Sequence, residues 1–453
     1  MHDTHFASLF PKDSRSREIT EILSSVVVGE SCQLVGIPGA GREDVLELLA
    51  HNREVREYHL GQRHASFHFV IINMAEVKGK PFHDVVKFIF YALASSLQER
   101  QMSRQYGEVA AFLEKGIVAN DVIVLRQGLK DAVSFLGNKD GISIVFLLHR
   151  FEEYAVNLSA ELFVLLDSLS TLAEGRFSAV FSLHRPLEQI VEPKEYELIA
   201  PFLGGQIVFL SLYDGPSLAH RRQFIEQQMG RHFQEAMLID LVELTGGHRK
   251  MMKRGIEEIL REDKLFVTKN EMEAFLLESK GIRSISYEIW GSLLPAEQRL
   301  LKSLIRTPGK PEVKSDDERN ALLFLQHIGV IVNNFFVIAF FEDFVRYRTE
   351  HASDEHLLYQ EETGEIFRGE QMITDAFTAY EYRFLQLLLK NPGQTIERDE
   401  VIHAVWNEQK ATEGVTDQAL DQLVFRLRGK VEENPHKPRH LQTVKGRGFV
   451  YYH

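Results

Sequence analysis

Short apolar runs alternate with segments of helical periodicity over roughly the first 265 residues. Runs of this kind are typical of strands that are buried on both faces, and their alternation with helices predicts a parallel sheet covered by helices. The predicted strands are Ser31–Gly36, Phe67–Asn73, Ile142–Leu148, Ser178–Leu183 and Gln206–Leu210.

The pattern changes in the segment that follows. Helical periodicity over Pro295–Ile305 and Asn320–His327 precedes two apolar runs, Val330–Asn333 and Phe336–Phe340, which flank Asn334. Short apolar runs on either side of an asparagine favour a hairpin. Two helices and a hairpin predict a small winged-helix unit.

The last hundred residues begin with a second hairpin pattern. Leu357–Gln360 and Glu365–Arg368 flank a turn that contains glycine. Thr378 and Glu381 have the spacing of a capping box, which predicts the start of a helix. A short second helix is predicted over Arg398–Trp406.

A third predicted helix in this region has two different faces. Gln418, Gln422 and Arg426 follow at helical spacing on one face, with Arg428 alongside. Glutamine can make two hydrogen bonds to adenine, and arginine two to guanine, in the major groove of DNA. The opposite face carries an apolar stripe, typical of a helix that packs on a core. The stripe consists of Leu420, Leu423, Val424, Leu427 and Val431.

A hairpin with a cationic tip follows this helix. Two β-type runs flank Lys445-Gly446-Arg447-Gly448, in which glycine permits the turn and the cations project from it. Such a tip can lie against phosphates or enter a minor groove. Residues 418–453 hold seven cations and three acids, which gives +4 in a chain of net charge −13. The local charge therefore favours DNA binding, although the total excludes a protein that coats nucleic acid nonspecifically.

The order of these features resembles the OmpR/PhoB-type winged-helix domain of bacterial transcription factors over residues 357–453. The motifs are the capped helix, Asn391-Pro392-Gly393, a helix ending in Val-Trp, D-x-x-x-x-R-L-R and TVKGRGF. The resemblance implies that the third helix enters the major groove of double-stranded DNA and that the wing contacts the minor groove. It implies DNA contacts at Trp406, Gln418, Gln422, Arg426, Arg428, Thr443, Lys445 and Arg447.

Three positions of the domain qualify this resemblance. Asp421 matches a family aspartate that is structural. Leu423 and Phe425 stand where the family often has polar or basic side chains, so we expect fewer phosphate contacts. The receiver domain that usually precedes this domain in the family is not recognisable in the N-terminal sequence.

Near the N terminus, a glycine pattern follows the first predicted strand. Gly36, Gly39 and Gly41 match the spacing of a P-loop up to its second motif glycine, and backbone amides of such a loop can bind phosphate. Arg42 and Glu43 replace the lysine and the Ser/Thr that contact phosphate and magnesium. Gly36, Gly39, Gly41 and Arg42 are thus the candidate nucleotide-binding residues of an altered motif.

The second nucleotide motif also departs from the usual pattern. His149-Arg150 stands where an NTPase has the acids that hold magnesium, and we expect Glu152 and Glu153 to lie on a solvated helix start. His149 and His184 end apolar runs, and two polar strand ends are favoured over a metal site. No catalytic or metal-binding residue is predicted. Cys32 is predicted to be a small buried side chain.

Residues 15–265 nevertheless resemble a STAND or Orc-type AAA+ ATPase domain. The motifs are the loop above, Phe181-Ser-Leu-His-Arg-Pro in the place of a sensor strand, and Leu244-Thr-Gly-Gly-His-Arg at a lid helix. The segment up to Tyr347 resembles the winged-helix unit that commonly follows such a domain. The resemblance implies a degenerate ATPase kept as a scaffold, a ligand sensor or an oligomerisation surface. It requires no cofactor, although ATP could bind without being hydrolysed.

The predicted organisation has an ATPase-like domain (1–265), a winged-helix-like unit (266–347), a linker (348–356) and the DNA-binding domain (357–453). The sequence thus predicts a non-enzymatic, sequence-specific transcriptional regulator. A homo-oligomer and a small-molecule or protein signal are possible further partners. Two alternatives stay open: an ATP-driven STAND-type switch, from the P-loop spacing, and a protein-interaction adaptor, from the acidic charge and Phe425.

The terminal residues and apolar runs also suggest a location. The N-terminal residues lack the charged-then-apolar order of a signal segment. The longest apolar run, Ile328–Phe341, is too short to span a bilayer. We therefore expect a cytoplasmic protein without a membrane partner.

Overall fold

The chain forms two compact units, which span Met1–Arg346 and Tyr347–His453. The computed structural model describes residues 5–155, 160–350, 357–360, 363–368, 371–406, 417–432, 434–435 and 437–452. The predicted boundary at residues 265–266 lies within the first unit. Of the predicted linker, residues 351–356 lie outside the described residues, and the residues before them continue a helix.

A five-stranded parallel sheet organises the first unit, in the spatial order β2-β3-β4-β1-β5. Its strands are β1 (Cys32–Val35), β2 (Phe67–Asn73), β3 (Ser143–His149), β4 (Phe177–Leu183) and β5 (Gln206–Phe209). The parallel α/β fold predicted from the sequence is thereby confirmed. Each strand end lies within one residue of its predicted position. Because all the strands run the same way, the residues that follow β1, β3 and β4 share one edge of the sheet.

Helices that pack on the sheet, α1, α2, α4, α7 and α8 among them, bury its apolar runs. The helices of this part of the chain are α1 (Ser16–Val26), α2 (Arg42–His51), α3 (Arg53–Leu60), α4 (Phe82–Glu99), α5 (Ser103–Ala119), α6 (Val122–Ser134), α7 (Phe151–Ala155), α8 (Ala160–Leu172), α9 (Pro193–Ile199), α10 (Gly215–Met229), α11 (Glu235–Thr245), α12 (Arg249–Glu262), α13 (Lys269–Leu277) and α14 (Lys280–Gly291). Cys32 is fully buried, as predicted, and burial raises the pKa of its thiol to about 12.

The rest of the first unit contains the predicted helices and a short hairpin. Its elements are α15 (Pro295–Arg306), α16 (Asp316–His327), β6 (Ile331–Val332), β7 (Phe335–Phe336) and α17 (Ala339–Glu350). The strands pair in antiparallel fashion across Asn333 and Asn334, which both adopt the left-handed conformation that such two-residue turns need.

The predicted second strand of this hairpin, Phe336–Phe340, is partly wrong. The strand ends at Phe336, and α17 begins at Ala339. Phe340, Phe341 and Phe344 are buried on one side of that helix. Their spacing follows the helical period, which outweighs the β tendency of the phenylalanines.

The second unit contains two small sheets and three helices among its described residues. The antiparallel sheet β10-β9-β8 is formed by β8 (Leu357–Gln360), β9 (Glu365–Arg368) and β10 (Gln371–Met372). The sheet β11-β13-β12 is formed by β11 (Ile396–Glu397), β12 (Leu441–Val444) and β13 (Gly448–Tyr451). The helices are α18 (Ala379–Lys390), α19 (Arg398–Val405) and α20 (Asp417–Val431).

The predicted capping box begins α18. The Thr378 side chain accepts from the backbone N–H of Glu381, and the Glu381 carboxylate accepts from the N–H of Thr378. This unit has its own core, to which Phe384, Leu388 and Phe449 contribute. Winged-helix architecture is thus confirmed for the second unit.

The apolar run Ile328–Phe341 does not form one long helix. It begins directly after α16 and is divided between the hairpin and the start of α17. Within the described part of the chain, no helix has both the length and the apolar character that crossing a membrane requires.

Candidate nucleic-acid interface and the glycine loop

Helix α20 presents a polar face to solvent. Gln418, Gln422 and Arg426 are exposed, and the apolar stripe on the other side is buried in the core of the second unit. A shallow hollow on the polar face is lined by these three residues with Asp421 and Phe425. The face therefore presents amide and guanidinium groups to solvent, where a ligand as large as a DNA groove can reach them.

The position of Leu423 follows the predicted buried stripe. Leu423 has no exposed surface, because it lies one turn after Leu420 in the buried stripe. It therefore cannot take the place of a phosphate-contacting side chain. Phe425 is 52% exposed and is the apolar side chain that lies on the polar face.

Two of the predicted DNA contacts bond to each other across the domain. Arg428 Nε donates to the carbonyl O of Leu441 at 2.9 Å, and its Nη2 donates to Thr443 Oγ1 at 2.8 Å. Burial lowers the pKa of the Arg428 guanidinium, which stays charged. These bonds fasten α20 to the first strand of the wing, so the helix and the wing form one surface.

The wing is the hairpin of β12 and β13, with Lys445 and Arg447 exposed at its tip. Gly446 adopts a left-handed conformation with φ of 75°, which favours glycine. A Cβ at Gly448 would overlap the carbonyl O of Ile396, where β11 pairs with β13. The glycines thus permit a tight tip that projects two cations.

Further side chains hold α20 in place. Arg398 of α19 pairs with Asp421 at 2.9 Å, a structural contact of the kind that the resemblance implies for this aspartate. Lys430 Nζ pairs with the Glu381 carboxylate at 2.6 Å. Glu432 accepts from the backbone N–H groups of Arg439, His440 and Leu441 and so fixes the loop before β12.

Trp406 lies at the end of α19 and is half-buried. Its ring stacks on Tyr380 with the centroids 5.6 Å apart, and it packs against the core of the unit. The ring is therefore held by the fold, and its contact with DNA stays a prediction.

In the first unit, the predicted glycine loop joins β1 to α2. Gly39 and Gly41 have φ of 76° and 113°, and α2 begins at Arg42. A Cβ at Gly36 would lie 2.9 Å from Leu210 Cβ. This strand–loop–helix geometry matches the prediction from the sequence.

Residues from distant parts of the chain cover this loop. His248 Nε2 lies 2.9 Å from the carbonyl O of Pro38, and Arg15 Nη2 donates to that of Ala40 at 3.0 Å. The backbone N–H of Lys250 donates to the carbonyl O of Gly39 at 3.1 Å. Burial lowers the pKa of His248 to about 4, so its ring is neutral and its Nε2–H donates to Pro38.

Arg42, in the position of the P-loop lysine, forms an ion pair within the first unit. Its Nη2 lies 2.9 Å from Glu152 Oε1, and His184 Nδ1 lies 3.1 Å from the same oxygen. The Arg42 and Glu152 side chains are 13% and 11% exposed. Burial would raise the pKa of Glu152, but the hydrogen bond from His184 and the charge of Arg42 outweigh it and lower the pKa to about 2.

The expectation that Glu152 lies on a solvated helix start is therefore wrong. Its neighbour Glu153 pairs at the surface with Arg150, as expected of a helix start. His149 is placed at the same sheet edge as His184, with its Nε2 4.0 Å from Glu43 Oε1. Local sequence patterns do not indicate the Arg42–Glu152 pair, because its members are 110 residues apart.

Asp44, in the first turn of α2, pairs with two more arginines. Its Oδ2 lies 2.9 Å from Arg221 Nη2 and 2.5 Å from Arg249 Nε. The cavity beside it, which Arg15 also lines, measures about 20 Å³, room for about one water molecule. Since Arg42 is paired and Glu43 offers no hydroxyl group, the residues present do not fit a magnesium–triphosphate complex.

Comparison with known proteins concerns mainly the second unit. Residues 375–451 match the family model described as "Transcriptional regulatory protein, C terminal". Protein PetR of Rhodobacter capsulatus is 34% identical over 96 residues, which are 21% of this chain and 40% of that protein. The sensory transduction protein RegX3 of Mycolicibacterium smegmatis is 39% identical over 69 residues, 15% of this chain and 29% of that protein.

Both relatives are matched over less than half of their own length. A Walker-type ATPase of Pyrococcus abyssi is similar to a larger part of the chain, with a TM-score of 0.48 and 15% identity. That similarity covers 73% of this chain and 95% of the other. It is the match over the second unit that identifies a family: residues 375–451 of this chain are a transcriptional regulatory protein C-terminal domain.

Proposed function

We propose that this chain is a transcriptional regulator that binds double-stranded DNA sequence-specifically through its second unit. The observation that carries the proposal is the outward face of α20, with Gln418, Gln422 and Arg426 exposed beside a cationic wing. The family match over residues 375–451 supports it.

In this proposal α20 lies in the major groove. Gln418 and Gln422 donate to and accept from adenine edges, and Arg426 donates two hydrogen bonds to guanine. Lys445 and Arg447 contact the minor groove or its phosphates, which adds affinity without sequence preference. Arg428 and Thr443 act mainly by keeping the helix and the wing in one orientation.

We further propose that the first unit does not hydrolyse ATP and serves as a scaffold, a sensor or an oligomerisation surface. The support is that Arg42 is paired with Glu152 and that Asp44 is paired with Arg221 and Arg249. A homo-oligomer and a small-molecule or protein signal are compatible partners. The proposal implies action in the cytoplasm of a bacterial cell.

The DNA proposal is tested by selecting duplexes from a random pool with the full chain at one fixed salt concentration. A parallel selection uses a variant with Gln418, Gln422 and Arg426 replaced by alanine, and a control uses Lys390→Ala, an exposed cation on α18. We expect the wild type and the control to enrich the same motif and the triple variant to enrich none. Absence of any enriched motif with the wild type would overturn the proposal.

The ATPase part is tested separately by steady-state hydrolysis of Mg-ATP with the full chain. We expect no turnover above that of an Arg42→Ala variant. Turnover in the wild type that disappears in Arg42→Ala would show that the paired arginine is released to act on phosphate, and would favour the ATP-driven switch.

A further inference from the structure

A cluster of two histidines and a glutamate lies at the far end of α2, away from the glycine loop. Glu47 and His51 are one helical turn apart, with His51 Nε2 3.5 Å from Glu47 Oε2. The ring of His5 stacks on that of His51, with the centroids 3.6 Å apart and the planes 13° apart. One nitrogen of each ring and one carboxylate oxygen of Glu47 all lie within 4.8 Å of one another.

A buried asparagine holds the N-terminal segment beside this helix end. Asn52 Nδ2 donates to the carbonyl oxygens of Ala7 and Phe10, both at 2.9 Å, and its Oδ1 accepts from the N–H of Val55 at 3.0 Å. Asn52 follows His51 directly, so the bonds that anchor residues 7 and 10 also bring His5 next to His51. The cluster is therefore built by the fold rather than by a chance approach of surface side chains.

A cavity of about 490 Å³ opens beside the cluster, between α2, β2 and α4. Its polar lining includes Ser95, Ser96 and Glu99, together with all three members of the cluster. This space can hold water molecules next to the two imidazoles and the carboxylate. An ion bound there would keep coordination positions that the protein does not fill.

The surrounding charge is mixed, because acids and arginines both lie near the cluster. Burial is the main cause that raises the pKa of Glu47; the neighbouring acids Glu43, Asp44 and Glu99 add to it, and His5 opposes it. Arg56 and Arg100 also line the cavity. Their guanidinium groups donate to backbone carbonyls: Arg56 to Leu49 and Ala50, and Arg100 to Ala50.

We propose that His5, Glu47 and His51 bind a divalent transition-metal ion, zinc above all, with water completing its coordination. Two imidazole nitrogens and one carboxylate oxygen are a ligand set that zinc accepts. Ligand atoms on one tetrahedral zinc lie about 3.3 Å apart, so the cluster closes by movements of up to about 1.5 Å. His5 is exposed and can make that movement by rotating out of the stack.

The ion would join the N-terminal segment to the helix that begins at Arg42. It would thereby fasten residue 5 to α2 without occupying the glycine loop at the other end of that helix. This inference is independent of DNA binding, because all three ligands belong to the first unit.

The test is a calorimetric titration of the full chain with zinc, after metals have been removed with a chelator. We expect one equivalent to bind tightly, and His5→Ala, Glu47→Gln and His51→Ala each to weaken it at least tenfold. The matched control is His64→Ala, because His64 Nε2 lies 3.3 Å from Glu57 but no second histidine completes that pair among the described residues. The control should bind zinc as the wild type does.

Cobalt(II) in place of zinc gives a second readout, since its visible absorption reports the ligand geometry. We expect a spectrum in the wild type that Glu47→Gln and His51→Ala abolish and His64→Ala leaves intact. Thermal unfolding without metal shows whether each variant is folded, and Glu47→Gln keeps the shape of the side chain. The proposal would be overturned if the wild type bound zinc no more tightly than the variants do. It would also be overturned if the wild type bound several zinc ions weakly, through many of its 19 histidines.

Discussion

The two units use cations in opposite ways. On the recognition face and the wing, Arg426, Lys445 and Arg447 are exposed and have no ion-pair partner among the described residues. Around the glycine loop, by contrast, Arg42 is held by Glu152 and Arg221 by Asp44, each pair at 2.9 Å and largely buried. A cation is available to phosphate only where no carboxylate of the fold has neutralised it first.

The comparison explains why similar residue types suggest different functions at the two places. The apolar side of helix α20 packs on the core, and Gln418, Gln422 and Arg426 on its polar side are exposed to solvent. At the glycine loop, Asp44 and Glu152 draw the neighbouring arginines into the protein. Charge near a phosphate-binding motif is therefore weak evidence of nucleotide binding until its partners are known.

The largest expected effect is acid destabilisation of the first unit. Burial lowers the pKa of His68 to about 3 and of His248 to about 4, so both rings are neutral when folded and gain a proton more readily when unfolded. Stability is full above the unfolded pKa of about 6.5 and falls by up to about 1.4 kcal/mol per histidine per pH unit between pH 6.5 and 4.

Urea unfolding at several pH values, with chelator present, measures this loss. The chain has two tryptophans. In a Trp406→Phe background, the fluorescence of Trp290 reports on the unfolding of the first unit alone. His248→Asn keeps a side chain that can cap α12 and should flatten the pH dependence. A stability of the wild type that is level from pH 7 to pH 5 would contradict the account.

The next effect concerns the buried pair at the glycine loop. Glu152→Gln leaves the Arg42 guanidinium buried without a countercharge and should cost about 3 kcal/mol of unfolding free energy. The matched control is Glu153→Gln, whose partner Arg150 is half exposed, so we expect a loss of about 0–0.5 kcal/mol. Urea unfolding with the Trp290 reporter compares the two variants. Equal losses of unfolding free energy would mean that the Arg42–Glu152 pair stabilises the fold no more than a surface pair does.

A smaller effect is expected where α20 meets the wing. Thr443→Val removes the hydroxyl that accepts from Arg428 Nη2 and should lower the stability of the second unit by about 1 kcal/mol. Trp406 reports on this unit in a Trp290→Phe background. Thr443→Ser keeps the acceptor and should recover most of the loss; no recovery would assign the effect to packing instead.

The smallest effect is expected at the wing tip. Lys445→Ala and Arg447→Ala should each reduce the slope of log affinity against log salt by about 0.9, because one phosphate contact is lost. Fluorescence anisotropy with a duplex from the selection measures the slope. Lys390→Ala should leave it unchanged, and unchanged slopes in both tip variants would remove the wing from the interface.

The recognition face could be predicted from the sequence because it depends on helical period alone. Once the apolar stripe of α20 is assigned to the core, the positions of Gln422 and Arg426 follow. The same period places Leu423 inside, where the structure has it. The parallel sheet was also predictable, since its strands are continuous apolar runs.

Contacts between distant segments could not be predicted in this way. Arg42 meets Glu152 only because β1 and β3 end at the same sheet edge, and local patterning does not reveal such a pair. His5 meets His51 because Asn52 holds the chain end in place. The end of β7 at Phe336 was missed because a run of phenylalanines fits either period.

The most direct test of the account compares a selected duplex with a shuffled one, for wild type and Arg426→Ala, at one salt concentration. We expect Arg426→Ala to weaken binding to the selected duplex by about 1–3 kcal/mol and to leave binding to the shuffled duplex nearly unchanged. An unchanged ratio of the two affinities would contradict the claim that this face of α20 recognises bases.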